Sequence, residues 1–243
     1  MFLTIILLRM LIPASVEDGD REFLRTNYKE AAAIYDSVLT AGRDSSVVLW
    51  RLARAYVCMA DVAEDKDQLD LYRIAGWYAE RSIVADSLIA DGHTWRAAAL
   101  GNIAMYEGGK TKIRLTHEIR NELDLAIRLN PSDDIAYSIL GSFYIALGDV
   151  SWIERQLAAI FLGRLPEGGF PEAEQALRKA IALAPDVIRH HFELGRLYLL
   201  MGRDSDARTE LQRVTTLRPS TGSDPRTQKS AERMILTITR DDE

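Results

Sequence analysis

Side chains able to do chemistry are few in kind along this chain. Four histidines (His93, His117, His190, His191), one cysteine (Cys58) and 36 carboxylates are spread over 243 residues. Metal binding needs such donors at short, fixed spacing, and no histidine stands at that spacing with a Cys or carboxylate partner. A single cysteine closes no internal disulfide and builds no thiolate cluster. Gly108-Gly109-Lys110-Thr111 matches the end of a phosphate loop, but the earlier glycine at the required spacing and the preceding strand are missing. Neither a G-x-S-x-G elbow nor a dinucleotide fingerprint occurs. The carboxylates lie on helix-like stretches, where a solvated face accounts for them. Together these features predict a non-enzymatic protein with no metal and no cofactor.

Residue types suited to binding do recur. Trp50 is followed one helical turn later by Arg54, and Phe192 by Arg196, with Arg189 just before it and Trp95 in a corresponding position between the two pairs. An aromatic and aliphatic surface carrying a few arginines suits a ligand with an apolar body and an anionic end, either a lipid or an amphipathic or acidic peptide. The alternative is that the rings are buried between helices while the arginines reach outward over them. A separate basic run, Lys110, Lys112 and Arg114, could meet phosphate groups or acidic protein, or be an ordinary solvated face. Nucleic acid is not expected as a partner, because the net charge is −6 and no basic excess is present.

The elements that position these residues repeat. His191-x-x-Leu194-Gly195-x-x-Tyr198, then Ala207-x-x-x-Leu211-x-x-Val214, then Pro219 lines up with Tyr137-x-x-Leu140-Gly141-x-x-Tyr144, then Ala173-x-x-x-Leu177-x-x-Ala180, then Pro185. The interval from Pro185 to Pro219 is 34 residues, the length of a tetratricopeptide repeat. Large residues three and four apart form one apolar stripe per helix, the small residue admits the neighbouring helix, and the closing Pro ends the hairpin. Weaker copies lie upstream at Ala31 to Val38, Leu49 to Tyr56, Leu71 to Ala85, His93 to Met105 and Ile113 to Leu129, giving four or five copies. In this register Val47, Trp50, Arg54 and Val57 line the concave face of one repeat, and Arg189, Phe192, Arg196 and Leu199 that of the last. Ile135, Ser138, Ser142 and Ile145 do so in the fourth.

The fold expected is an all-α tetratricopeptide-type solenoid over residues 20–219. An amphipathic helix is inserted in the fourth repeat, at about 149–171, and 220–243 supply a linker and capping helix opened by Ser223-Asp224-Pro225. The insert is marked by spacing: 29 residues separate Tyr144 from Ala173, against nine between Tyr198 and Ala207. Ser151 and Glu154 have capping-box spacing, and Ile153, Leu157, Ile160 and Phe161 fall on one side. Residues 1–19 read as a separate N-terminal segment. The apolar run from Met1 to Ala14 is too short to span a bilayer. It is either the apolar part of a signal lacking its positive start, implying export or the periplasm, or a terminus packed on the first helix of a cytoplasmic protein.

The insert also carries a resemblance. Gly148-Asp149-Val150-Ser151-Trp152-Ile153-Glu154-Arg155, followed by Ala158-Ala159, Phe161, Gly163 and Pro166, resembles the signature of the regulator of microtubule dynamics family. Tyr106-Glu107-Gly108 with Lys110, Lys112 and Ile113, and Leu49-Trp50-Arg51-Leu52-Ala53-Arg54-Ala55-Tyr56, are similar to the same family, so that the resemblance covers about residues 20 to 240. It implies a tetratricopeptide-like domain without a catalytic centre, with Trp152, Glu154, Arg155 and Phe161 as its most specific marks. Eukaryotic members are associated with microtubules or mitochondrial contact sites, where the domain is linked to phospholipid binding; this chain looks like a short, bacterial-type member without a long anchor. The partners so implied are a protein or peptide, with phospholipid and peripheral membrane contact as the other reading.

Overall fold

A computed structural model describes residues 14–42, 45–151, 155, 159 and 164–241, which form eleven helices and no strand among the described residues. They are α1 (Val16–Leu24), α2 (Tyr28–Thr40), α3 (Ser45–Val62), α4 (Asp65–Ala85), α5 (Ala90–Glu107) and α6 (Gly109–Leu129). Then follow α7 (Asp134–Gly148), α8 (Phe170–Leu183), α9 (Ile188–Leu200), α10 (Asp204–Thr216) and α11 (Asp224–Asp241). Consecutive helices pair into five hairpins, and α11 covers the last of them by packing on α9 and α10. The odd-numbered helices from α3 to α9 touch in series and form the inner layer of an all-α solenoid.

Local chemistry explains where the helices begin. Ser15 caps α1: its Oγ accepts from the Asp18 amide, and the Asp18 carboxylate accepts from the Ser15 amide, satisfying two otherwise orphaned donors. The first helix therefore starts at Val16, inside the stretch 1–19 that the sequence reads as a separate segment. Asp133 caps α7 by accepting from the Ala136 amide at 2.9 Å. Pro171 sits in the first turn of α8, where its missing N–H costs nothing.

Glycines set the spacing inside the last two hairpins. A Cβ on Gly141 would lie 2.4 Å from Leu177 Cγ, and one on Gly195 would lie 2.8 Å from Leu211 Cγ. The paired leucines are fully buried and belong to one apolar core running from α5 to α11. Smaller clusters join α3, α4 and α5, and α2 with α3.

Buried histidines clasp two hairpins in the same way. His93 opens α5 and His191 lies in the first turn of α9, with 3 % and 7 % of their surfaces exposed. His93 places Nδ1 2.5 Å from a Glu122 oxygen on α6 and Nε2 3.0 Å from the Ser87 carbonyl. His191 places Nδ1 2.7 Å from a Glu210 oxygen on α10 and Nε2 2.9 Å from the Pro185 carbonyl. Carboxylate and carbonyl oxygens only accept, so both bonds of each ring form together only in the doubly protonated imidazolium. The Glu122 carboxylate leads in holding the His93 pKa above its ordinary value. For His191 burial acts downward and is outweighed by Glu210 and the Pro185 carbonyl, so its pKa is also raised. His190 makes a third tie, 2.8 Å from Asp134 of α7, joining two inner helices.

Of the inserted segment, Arg155 is half-buried and donates to the Leu147 carbonyl. Trp152, Glu154 and Phe161 lie outside the described residues. The chain after the insert is fastened to α6 by His117 Nε2, which donates to the Arg164 carbonyl at 2.7 Å. It returns through Gly168, whose φ of 123° and contact with the Tyr144 ring admit only glycine.

Two predictions follow from this packing. Gly141→Ala should cost about 1–3 kcal/mol because Leu177 must move, whereas Gly101→Ala, whose Cβ would meet nothing within 4 Å, should gain up to about 1 kcal/mol; urea unfolding of both variants checks the contrast. A raised histidine pKa contributes stability that is complete below the unfolded value of about 6.5 and is lost as pH rises through the folded value. The urea midpoint should therefore fall between pH 6 and pH 8.5, and H93Q/H191Q should flatten that slope.

Candidate functional site

The site begins at Asp20, in the middle of α1. Its carboxylate accepts from the Tyr35 hydroxyl at 2.6 Å, from Arg51 Nε at 3.0 Å and from Arg54 Nη2 at 3.0 Å. Burial acts to raise its pKa and is overridden by these three donors, which hold the carboxyl below its ordinary range. Around this hub the aromatic rings are layered with guanidinium groups. Arg54 lies 3.7 Å over the Phe23 ring and 5.1 Å from the Trp50 ring, and Arg51 lies 4.2 Å over Trp50. Phe23, Arg54, Trp50 and Arg51 thus form a stack in which both guanidinium groups share the single Asp20 carboxylate and one positive charge is left over.

The arginines expected to greet an anionic ligand have internal partners. Arg54 is paired with Asp20, and Arg196 lies 3.0 Å from Glu193. Arg189 is freer, with 48 % of its side chain exposed and Asp61 of α3 at 3.9 Å. Desolvation lowers its pKa and is outweighed by the carboxylates of Asp61 and Glu193, so the guanidinium is held in its charged form. Trp50 and Phe192 are half-buried. Trp95 is buried at 8 % exposure in the core formed by α3, α4 and α5, where it supports the wall from behind.

The inner layer curls until its ends meet. Besides Arg189 of α9 reaching Asp61 of α3, the Gly222 amide donates to the Tyr28 hydroxyl at 2.8 Å and Arg226 donates to the Val62 carbonyl at 2.7 Å. Tyr72 donates to Asp61 at 2.7 Å and fixes that carboxylate. Cys58 sits beside this meeting point, where burial and then Asp61 push its thiol pKa up to about 12, so it is an unreactive thiol rather than a nucleophile.

The basic run is placed elsewhere, on the first two turns of α6. Lys110 and Arg114 are exposed and Lys112 half-buried, and none of the three enters an ion pair among the described residues. Two shallow surface depressions are lined by His191, Glu210, Gln212 and Arg213, and by Pro171, Glu174, Gln175 and Arg178. No group of three or more His, Cys, Asp or Glu residues could hold a metal among the described residues, and no described helix is long and apolar enough to cross a membrane.

The sequence offers the aromatic and arginine positions as groove candidates but not Asp20, Tyr35 and Asp61, the partners of Arg54 and Arg189. A signal for Asp20 was present: Val16, Asp20 and Phe23 share one helical face, so a carboxylate there points with apolar neighbours toward α2 and α3. A double-mutant cycle of Asp20→Ala and Arg51→Ala should give a coupling of about 1 kcal/mol in urea unfolding, because Asp20→Ala strands the half-buried Arg51 that the pair satisfies.

Comparison with known proteins agrees with this architecture. The family model described as Regulator of microtubule dynamics protein 1-3 matches residues 16–239. Human regulator of microtubule dynamics protein 2 is 27% identical over 200 residues, covering 82% of this chain and 49% of the relative. The bovine protein 1 is 26% identical over 226 residues, covering 90% and 67%. The chain spans about half the length of the curated relatives it matches first. A crystal structure of a thermophilic TPR protein from Thermus thermophilus shares the fold, with a TM-score of 0.65, 19% identity and coverage of 91% of this chain and 97% of that one.

Proposed function

Since the chain belongs to the regulator of microtubule dynamics family, we propose that it acts as a non-enzymatic scaffold whose inner surface holds an amphipathic segment of a partner protein. The observation that carries this is the pairing of partly exposed rings, Trp50 on α3 and Phe192 on α9, with arginines that are already aligned and largely neutralised. Fixed aromatic anchors with few free charges bind an apolar helix face at low entropic cost and read charge only at selected points. Arg189 is the one cation of that surface with a long, exposed ion pair, and it suits a single acidic residue of the segment. The unpaired Lys110 and Arg114 on the outer side offer a second contact to an acidic stretch of the same partner.

A lipid-like ligand is the second reading, favoured by the apolar rings; against it stands the commitment of Arg51 and Arg54 to Asp20 and of Arg196 to Glu193, which leaves no fully free guanidinium among them for an anionic head group. The relatives' name attaches them to microtubules, and co-sedimentation of the full chain with polymerised tubulin tests whether that role extends to this one. Cross-linking mass spectrometry of the captured full chain identifies the bound segment. Trp50→Ala and Phe192→Ala should then weaken that segment by about tenfold or more in calorimetric titration while moving Tm little. Equal losses of affinity and stability would mean that the rings are core, and a discrete phospholipid mass retained in native mass spectrometry would favour the lipid reading instead.

A further inference from the structure

We propose that residues 220–226 form a strap that closes the inner groove, and that a ligand enters by parting this strap from α2 and α3; the inference rests on the groove being the binding surface. The strap is anchored unequally. On its own side the buried Asp224 carboxylate accepts from the Ser220 and Thr221 amides, both at 2.7 Å, and fixes the turn. Gln228 then donates to the Val214 and Leu217 carbonyls at 3.1 and 2.9 Å, and Ala231 and Ile238 are buried in the same apolar core as α9 and α10. The strap is therefore one body with the last hairpin and α11.

Across the seam the contacts are thin. Gly222 N–H donates to Tyr28 Oη, and Arg226 donates to the Val62 carbonyl and, at 3.5 Å, to the Asp61 carbonyl. Among the described residues Arg189 pairs with Asp61 across the seam at 3.9 Å, longer than a hydrogen-bonded salt bridge. The apolar contact is as narrow as a glycine: a Cβ on Gly222 would meet Tyr28 Cε2 at 3.1 Å and Val62 Cγ1 at 3.2 Å. A few hydrogen bonds, those of Arg226 exposed, hold one side while a hydrophobic core holds the other, and local opening follows the weaker set. Parting the seam separates Asp61 from Arg189 and further exposes Cys58, which is half-buried beside them, so the closed form keeps Arg189 occupied until a partner's acidic group replaces Asp61.

Cys58 is the only cysteine of the chain and reports the opening without any ligand. The rate at which the folded full-length protein reacts with an aromatic disulfide reagent is compared for the natural chain, Gly222→Leu and the pair Tyr28→Phe/Arg226→Ala. Cys58 should react far more slowly than in urea, and either variant should raise the rate about tenfold, the effect of weakening a closed state by one or two hydrogen bonds, at unchanged helical circular dichroism and with the urea midpoint lowered only slightly. If Gly222→Leu fails to fold, the double variant decides. A natural chain that reacts as fast as the unfolded one, or folded variants that react no faster than the natural chain, would overturn the strap. Variants that open the thiol while no partner is ever captured by the rings would leave the strap standing and remove the binding assignment alone.

Discussion

The close approach of each inner helix to its outer partner governs much of what this molecule can be. At Gly141 on Leu177 and Gly195 on Leu211 there is no room for even one methyl group, so the leucine side chains interlock with bare backbone. That contact fixes the separation and tilt of the two helices, and repeated along the chain it fixes how far each hairpin rotates from the last. Curvature is therefore a packing outcome. A slightly wider spacing would leave the first and last hairpins apart, and the inner surface would be an open trough.

Buried polar groups supply the register that apolar packing lacks. His93 with Glu122 and His191 with Glu210 tie the start of an inner helix to its outer partner and to the preceding turn in one bonding pattern, 98 positions apart. Asp20 does the equivalent for α1, gathering Tyr35, Arg51 and Arg54 on one carboxylate. An apolar stripe can slide by a turn at little cost, but a desolvated carboxylate separated from its donors cannot, so these sites select one alignment among several.

The repeat pattern was legible because its physics is local. Leu194-Gly195 and Tyr198 with Ala207, Leu211 and Pro219 encode a hairpin within about thirty residues, and each residue type has one packing reason to be there. The start of the first helix was not, since the apolar run before it masks the capping role of Ser15 and Asp18. The same limit applies to the groove. Helical counting placed Trp50, Arg54, Phe192 and Arg196 on the inner layer, but the carboxylate that holds Arg54 comes from 34 residues upstream, and Asp61 is brought to Arg189 only by the curvature of the whole array. Trp95 shows the opposite case, a ring whose position in the period suits a ligand wall while its neighbours bury it.

Closure of the superhelix also changes how the array should lose its structure. A linear solenoid holds only near-neighbour contacts, so its end repeats can fray while the middle stays folded. Here the Gly222 amide meets the Tyr28 hydroxyl across 194 positions of sequence, so fraying at either end hairpin must first break this contact. The first and last hairpins become neighbours in the thermodynamic sense, each lending the other part of the interface that a terminal repeat lacks. The chain thereby combines the modular construction of a one-dimensional array with the cooperativity of a ring.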